Sequence, residues 1–207
     1  MTTKDTIPDL LLTSVSRELL LGVEDALVIG AKRAHAAASG MHEGHYPHVL
    51  GQLRHFHMNE TFQRALATSD ASPTPLRGNG IVSGHAGMFR IARFNIRDGI
   101  WNNGRRSQTR RQMAKANRAI EPLVQPDLFC DYQRPSEALV FFVACFSGSR
   151  ASSESPTSIQ VAVPDQNMLG WLFRESLENF IKRYDQSGTQ SDHARPKLKA
   201  KVQIIGK

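Results

Sequence analysis

This sequence predicts an α+β fold, with an N-terminal helical part followed by a small, mostly antiparallel sheet and two packed helices. Three observations predict it. Apolar residues recur at helical spacing through the first 68 residues, apolar runs of strand length dominate after residue 81, and a stretch rich in Ser, Pro and Gly separates the two regimes. The divisions expected are a helical part over 1–68, an α+β part over 81–185 and a basic tail over 186–207.

Residues 9–38 read as helical, opened by Asp9 after Pro8, with Leu12, Val15, Leu19, Val23, Ala26 and Leu27 at spacings of three and four. Gly22 is the expected point of division, and Ser39-Gly40 the expected end. A turn, MHEGHYP, leads to a second helical pattern over 48–67 that offers Leu50, Leu53, Phe56 and Leu66 to a core. After the break, Ile81 and Val82 pair with residues 88–96 as a hairpin across Ser83-Gly84-His85-Ala86-Gly87. Strand alternation then sets Ala92, Phe94 and Ile96 on one face, Arg93 and Asn95 on the other.

Turn signals at Asp98-Gly99 and Asn102-Asn103-Gly104 flank Trp101, and Ser107 is placed to cap a helix running to about Glu121, before Pro122. Met113, Ala116, Asn117 and Ile120 form its inner stripe. The run ALVFFVACF has no polar alternation, the pattern of a strand covered on both faces, and is the expected central strand. Ile159, Val161 and Val163 alternate as a half-buried strand ended by Pro164. Asp165 then caps an expected helix with Leu169, Leu172, Phe173, Phe180, Ile181 and Tyr184 on one face. Beyond Asp185 the low apolar content predicts a mobile basic tail.

An apolar fraction of 40% and a charged fraction of 22% are ordinary for a globular chain, which excludes wholesale disorder. The two cysteines, Cys130 and Cys145, sit beside hydrophobic sequence without a CxxC spacing, as reduced thiols do in a cytoplasmic protein. The leucines near the start are interrupted by Asp9, Arg17 and Glu18, so no export leader is expected. The longest purely apolar run is ALVFFVACF, far short of the roughly 20 residues of a membrane-spanning helix. The GxSxG, GxGxxG and GxxxxGK[ST] signatures are absent, and no cofactor is expected.

Charge is the most informative feature. The formal net charge is +7, yet Arg90, Arg93, Arg97, Arg105, Arg106, Arg110, Arg111, Lys115 and Arg118 face only Asp98 in their own window, a local excess larger than that of the whole chain. A concentrated patch attracts polyanions better than the same charge spread evenly, and the guanidinium fork matches phosphate oxygens two at a time. The expected partner is nucleic acid, DNA or RNA, bound without catalysis by Arg93, Arg97, Arg105, Arg106, Arg110, Arg111 and Lys115, with Trp101 as a stacking platform. Two alternatives share these residues. One is an inhibitor or adaptor whose arginine surface meets an acidic partner protein. The other is a metal-independent, RNase-like phosphodiester-cleaving enzyme, in which His85 acts as general acid or base and Arg90 or Arg93 stabilises the transition state.

Histidines are dense between residues 42 and 57. On a helix, His48 and His55 share a face and His57 converges with Glu60, which makes those four the metal candidates. No HExxH or paired cysteines support them, and no metal is expected.

Overall fold

The computed structural model describes residues 6–97, 99–124, 135–147 and 153–187. Three helices come first: α1 (Ile7–Ser14), α2 (Arg17–Ala38) and α3 (Tyr46–Thr68). The strands β1 (Ser83–Ala86) and β2 (Phe89–Arg97) lead into a connection made of a 3-10 turn (Trp101–Arg106), α4 (Gln108–Ala114), a second 3-10 turn (Lys115–Ala119) and α5 (Glu121–Val124). Then follow β3 (Ala138–Phe146), β4 (Ser158–Pro164), β5 (Trp171–Ser176) and α6 (Leu177–Ser187). The sheet order is β1-β2-β3-β4-β5, with β2 and β3 parallel and every other neighbouring pair antiparallel. The class is α+β, as the periodicities predict.

Strand alternation divides the core into two layers. Phe89 and Ile91 of β2, Val140, Phe142 and Ala144 of β3, and Val161 and Val163 of β4 face Leu11, Leu19, Leu27, Phe62 and Phe180 from the helices α1, α2, α3 and α6. Ala92, Phe94, Ile96, Leu139, Phe141, Val143 and Ala162 face Met113, Ala114 and Met168 on the other side. All nine residues of β3 are buried, which explains a run with no polar alternation: the strand is central and both its faces are covered.

Several boundaries differ from the sequence expectation, each for a local reason. The first helix divides at Val15, not Gly22. Val15 is extended, and the Ser16 side chain accepts the Leu19 N–H at 3.1 Å to start α2. Thr6 caps α1, and Asp9 is the reciprocal partner of a capping box rather than the cap itself. In α3, Phe56 is exposed and the inner face belongs to Met58, Thr61 and Phe62. The crossing with α2 sets that rotation, because Thr61 Oγ1 donates to the Ala26 carbonyl at 2.6 Å and Gly30 lies against Met58.

The hairpin turn is at Gly87-Met88, so Ser83-Gly84-His85 belongs to β1, with Ala86 opposite Phe89. Gly87 has φ 55°, and its position against Ser14 leaves no room for a side chain. The helix expected from Ser107 to Glu121 is replaced by α4 and a 3-10 turn, and Pro122 lies within α5 rather than ending a helix. Ala114 takes the inner place expected for Ala116. Asn117 is fully buried there. It donates to the carbonyls of Leu139 (3.1 Å) and Pro164 (2.7 Å) and accepts the Leu139 N–H (2.6 Å), tying the connection to the ends of β3 and β4.

The largest correction concerns residues 165–184. Asp165 does not cap a helix. It closes a turn by accepting N–H bonds from Asn167 (2.8 Å), Leu169 (3.1 Å) and Gly170, after which Trp171–Ser176 pairs with β4 and only Leu177–Ser187 is helical. Ladder bonds to β4 outweigh the helical spacing of Leu169, Leu172 and Phe173. Asp98, Cys130 and the tail from residue 188 lie outside the described residues. Cys145 is buried. Among the described residues, no helix is long and apolar enough to cross a membrane.

Candidate nucleic-acid interface

The connection between β2 and β3 lays its cationic side chains over the second face of the sheet. Met113 and Ala114 anchor α4 in that core, and Ser107 caps it by accepting the Arg110 N–H at 3.3 Å. With the inner positions fixed, helical geometry turns Arg111 and Lys115 outward, four residues apart on one face. Arg97, Arg105, Arg106, Arg111, Lys115 and Arg118 are all exposed. None of the six forms an ion pair among the described residues. The salt bridges lie elsewhere: Arg17 with Asp185, Arg33 and Arg64 with Glu60, Lys182 with Glu178, and Arg183 with Glu175.

Three of the residues named for this surface are engaged by the fold. Arg110 donates from Nε to the Gly104 carbonyl (2.7 Å) and from Nη2 to the Asn103 carbonyl (3.3 Å), with its guanidinium 4.8 Å from the centre of the Phe94 ring. Burial lowers its pKa. Trp101 packs edge-on to Trp171, with ring centroids 5.1 Å apart, and Arg174 lies over its ring at 4.6 Å. Arg93 is 4% exposed beneath α3. Its Nε and Nη2 donate to Asn59 Oδ1 (2.9 and 2.7 Å), Nη2 also to the His55 carbonyl (2.8 Å) and Nη1 to Asn95 Oδ1 (2.8 Å). Its acceptors among the described residues are all neutral, and burial pulls its pKa down to about 9.

The histidine candidates divide in the same way. His85 is exposed and lies directly opposite Arg90 in the hairpin, whose guanidinium donates to Ser83 Oγ at 3.2 Å. Arg93 is three residues along the strand from Arg90 and therefore on the opposite face of the sheet. His57 Nδ1 and Glu60 Oε2 approach to 4.0 Å, while His55 shares a 3.3 Å hydrogen bond with Asn59 Nδ2 and His48 is exposed at the start of α3. The pKa of His55 is lowered, first by burial and then by the Arg93 charge. Among the described residues, no group of three or more His, Cys, Asp or Glu side chains is placed to hold a metal ion.

Sequence reasoning missed a polar cleft of about 320 Å³ between α4 and the turn over 165–170, lined by Gln108, Arg111, Gln112, Lys115, Gln166 and Asn167. Half of it is legible once α4 is placed, since Gln108 and Gln112 repeat the spacing of Arg111 and Lys115. The other half is hidden by the helical reading of residues 165–170.

No family model matches this chain, and neither a curated protein nor a solved structure matches it.

Proposed function

We propose that this chain binds nucleic acid, without catalysing its cleavage, through the cationic layer formed by Arg105, Arg106, Arg111, Lys115 and Arg118, with Arg97 at the neighbouring end of β2 on the other face of the sheet. One observation supports the reading above the others: these cations cluster on one connection, are exposed and carry no ionic partner among the described residues, whereas Arg17, Arg33, Arg64, Lys182 and Arg183 of α2, α3 and α6 are paired with carboxylates. Exposed cations at this density repel one another, and a polyphosphate relieves that repulsion while releasing its own counterions.

The test is fluorescence anisotropy of labelled oligonucleotides across a salt series, with the oligonucleotide length checked on a denaturing gel. Arg111→Gln with Lys115→Gln is expected to lower the slope of log affinity against log salt by about 1.5, since each lost phosphate contact removes roughly 0.7–0.9. An unchanged slope with the fold confirmed overturns the reading in favour of an acidic protein partner. Shortening of the oligonucleotide transfers it to the His85 and Arg90 pair of the hairpin.

A further inference from the structure

The cleft beside α4 has a composition that phosphate binding alone does not call for. Arg111 and Lys115 supply two cations, but the remaining lining is Gln108, Gln112, Gln166 and Asn167. A phosphate offers only acceptors, for which more arginine or lysine would serve better. A carboxamide presents donors and an acceptor side by side, the complement of a nucleobase edge. The side chains of Gln108, Gln112 and Asn167 are exposed and make no hydrogen bonds among the described residues, so a ligand meets them in exchange for water alone. Gln166 uses its backbone N–H and its Nε2 on the two oxygens of Glu121 (2.7 and 2.8 Å), which leaves its amide oxygen without a partner there.

Two carboxylates that hold the turn beside this cleft are already occupied. Glu121 is held by Gln166, and Asp165 accepts three backbone N–H groups of its own turn. Neither compensates Arg111 or Lys115. The same bonds make the turn a rigid wall. Met168 anchors it, with a side chain only 6% exposed in the core under α4. A wall fixed before binding loses little entropy when a ligand arrives.

We propose that this cleft reads one nucleotide of single-stranded nucleic acid: its phosphate on Arg111 and Lys115, and its base edge against the amides of Gln108, Gln112, Gln166 and Asn167. The inference rests on the nucleic-acid reading above and narrows it to unpaired strands. A cleft is concave, so a base must enter it, and a base paired in a duplex shows its edge only to an element that projects into a groove. The volume of about 320 Å³ is at the lower end of small-ligand pockets, roughly 300–1,000 Å³, and suits one nucleotide. Stacking has a lesser part in it, because Trp101 is already packed on Trp171.

The experiment measures the full chain by anisotropy against labelled single-stranded homopolymers of each base and a duplex of equal length. Expected are single strands bound at least about ten-fold more tightly than duplex, and a spread of about ten-fold or more among the bases. Gln112→Ala with Asn167→Ala should compress that spread to about threefold or less and leave the salt slope unchanged. Equal binding of duplex and single strand overturns the inference, as does a base preference untouched by the amide variant. If Arg111→Gln with Lys115→Gln still flattens the salt slope in either case, only this inference falls; if no oligonucleotide binds at all, the nucleic-acid reading falls with it.

Discussion

Removing Asn59 should cost this protein more stability than removing the cation that Asn59 holds. The Arg93 guanidinium, 4% exposed, depends on Asn59 Oδ1 for two of its four hydrogen bonds, at 2.9 and 2.7 Å. Asn59→Ala leaves Arg93 charged and buried with those donors unmet. Leaving a buried charged donor unmet costs more than the roughly 1–3 kcal/mol of a neutral group, with about 3–5 kcal/mol, the cost of breaking a buried ion pair from one side, as the upper bound. Arg93→Met deletes the charge and leaves only neutral acceptors short of a donor, of which Asn59 Oδ1 is buried, Asn95 is half-buried and the His55 carbonyl lies within α3, a cost of about 1–3 kcal/mol. The double variant has no orphaned charge and no unmet oxygen at position 59, so its cost should fall below the sum by about 2 kcal/mol or more. Urea denaturation followed by the fluorescence of Trp101 and Trp171 measures all four states. For a chain of this size the Asn59→Ala loss corresponds to a drop in Tm of roughly 10 °C. An Asn59→Ala cost below about 1 kcal/mol, or costs that simply add in the double variant, would refute the buried-cation account.

Glycines on α2 should respond to substitution with opposite signs. At Gly30 a Cβ would lie 2.6 Å from both Met58 Cα and Thr61 Oγ1, so Gly30→Ala forces the helices apart and should destabilise by about 1–3 kcal/mol. At Gly22 the nearest atom would be Ala65 Cβ at 3.8 Å, so Gly22→Ala should stabilise by up to about 1 kcal/mol, both read from urea midpoints. His55 should give acid sensitivity. Its folded pKa is lowered by burial and by Arg93, so as pH falls below about 6.5 the unfolded chain takes up the proton first and stability drops, the full penalty being present below the folded pKa. His55→Asn should flatten the stability profile between about pH 7 and pH 5, and an unchanged profile would contradict this origin.

What was legible in the sequence depended on how far local pattern and tertiary pairing agreed. Ala138–Phe146 could be read because burial on both faces excludes polar residues from a central strand, whatever its neighbours are. Ser107 was readable as a cap because capping is settled within a few residues. Residues 165–184 misled because Leu169, Leu172 and Phe173 share a helical phase with Phe180 and Tyr184, while pairing with β4, a contact sequence spacing does not report, makes Trp171–Ser176 a strand. The interface followed the same division. Charge density located the cationic layer, but no one-dimensional pattern distinguishes Arg93, enclosed under α3, from Arg97, which is exposed four residues along the same strand. The amide wall of the cleft was invisible for the reason that β5 was.

Adjacent arginines in α4 provide the sharpest separation of fold from surface. Arg110 and Arg111 are indistinguishable in composition, yet Arg110 bonds the carbonyls of Gly104 and Asn103 and covers Phe94, while Arg111 is exposed and lines the cleft. Both carbonyls belong to the 3-10 turn before α4, so Arg110 fixes that turn against the helix and with it the direction in which Arg105 and Arg106 leave the surface. Arg110→Ala should therefore destabilise by about 1.5–3 kcal/mol, the range for a hydrogen bond from a charged donor. Arg111→Ala should stay within about 0.5 kcal/mol of the parent, as exposed substitutions generally do. Binding should show the reverse order under conditions where both variants are folded: Arg111→Ala lowers the salt slope by about 0.7–0.9 and Arg110→Ala leaves it unchanged. A variant pair in which Arg110→Ala kept the parent Tm and flattened the slope would show that its guanidinium leaves Gly104 to meet phosphate. The cationic layer would then extend inward to Phe94, and the division of the arginines argued from their hydrogen bonds would fail.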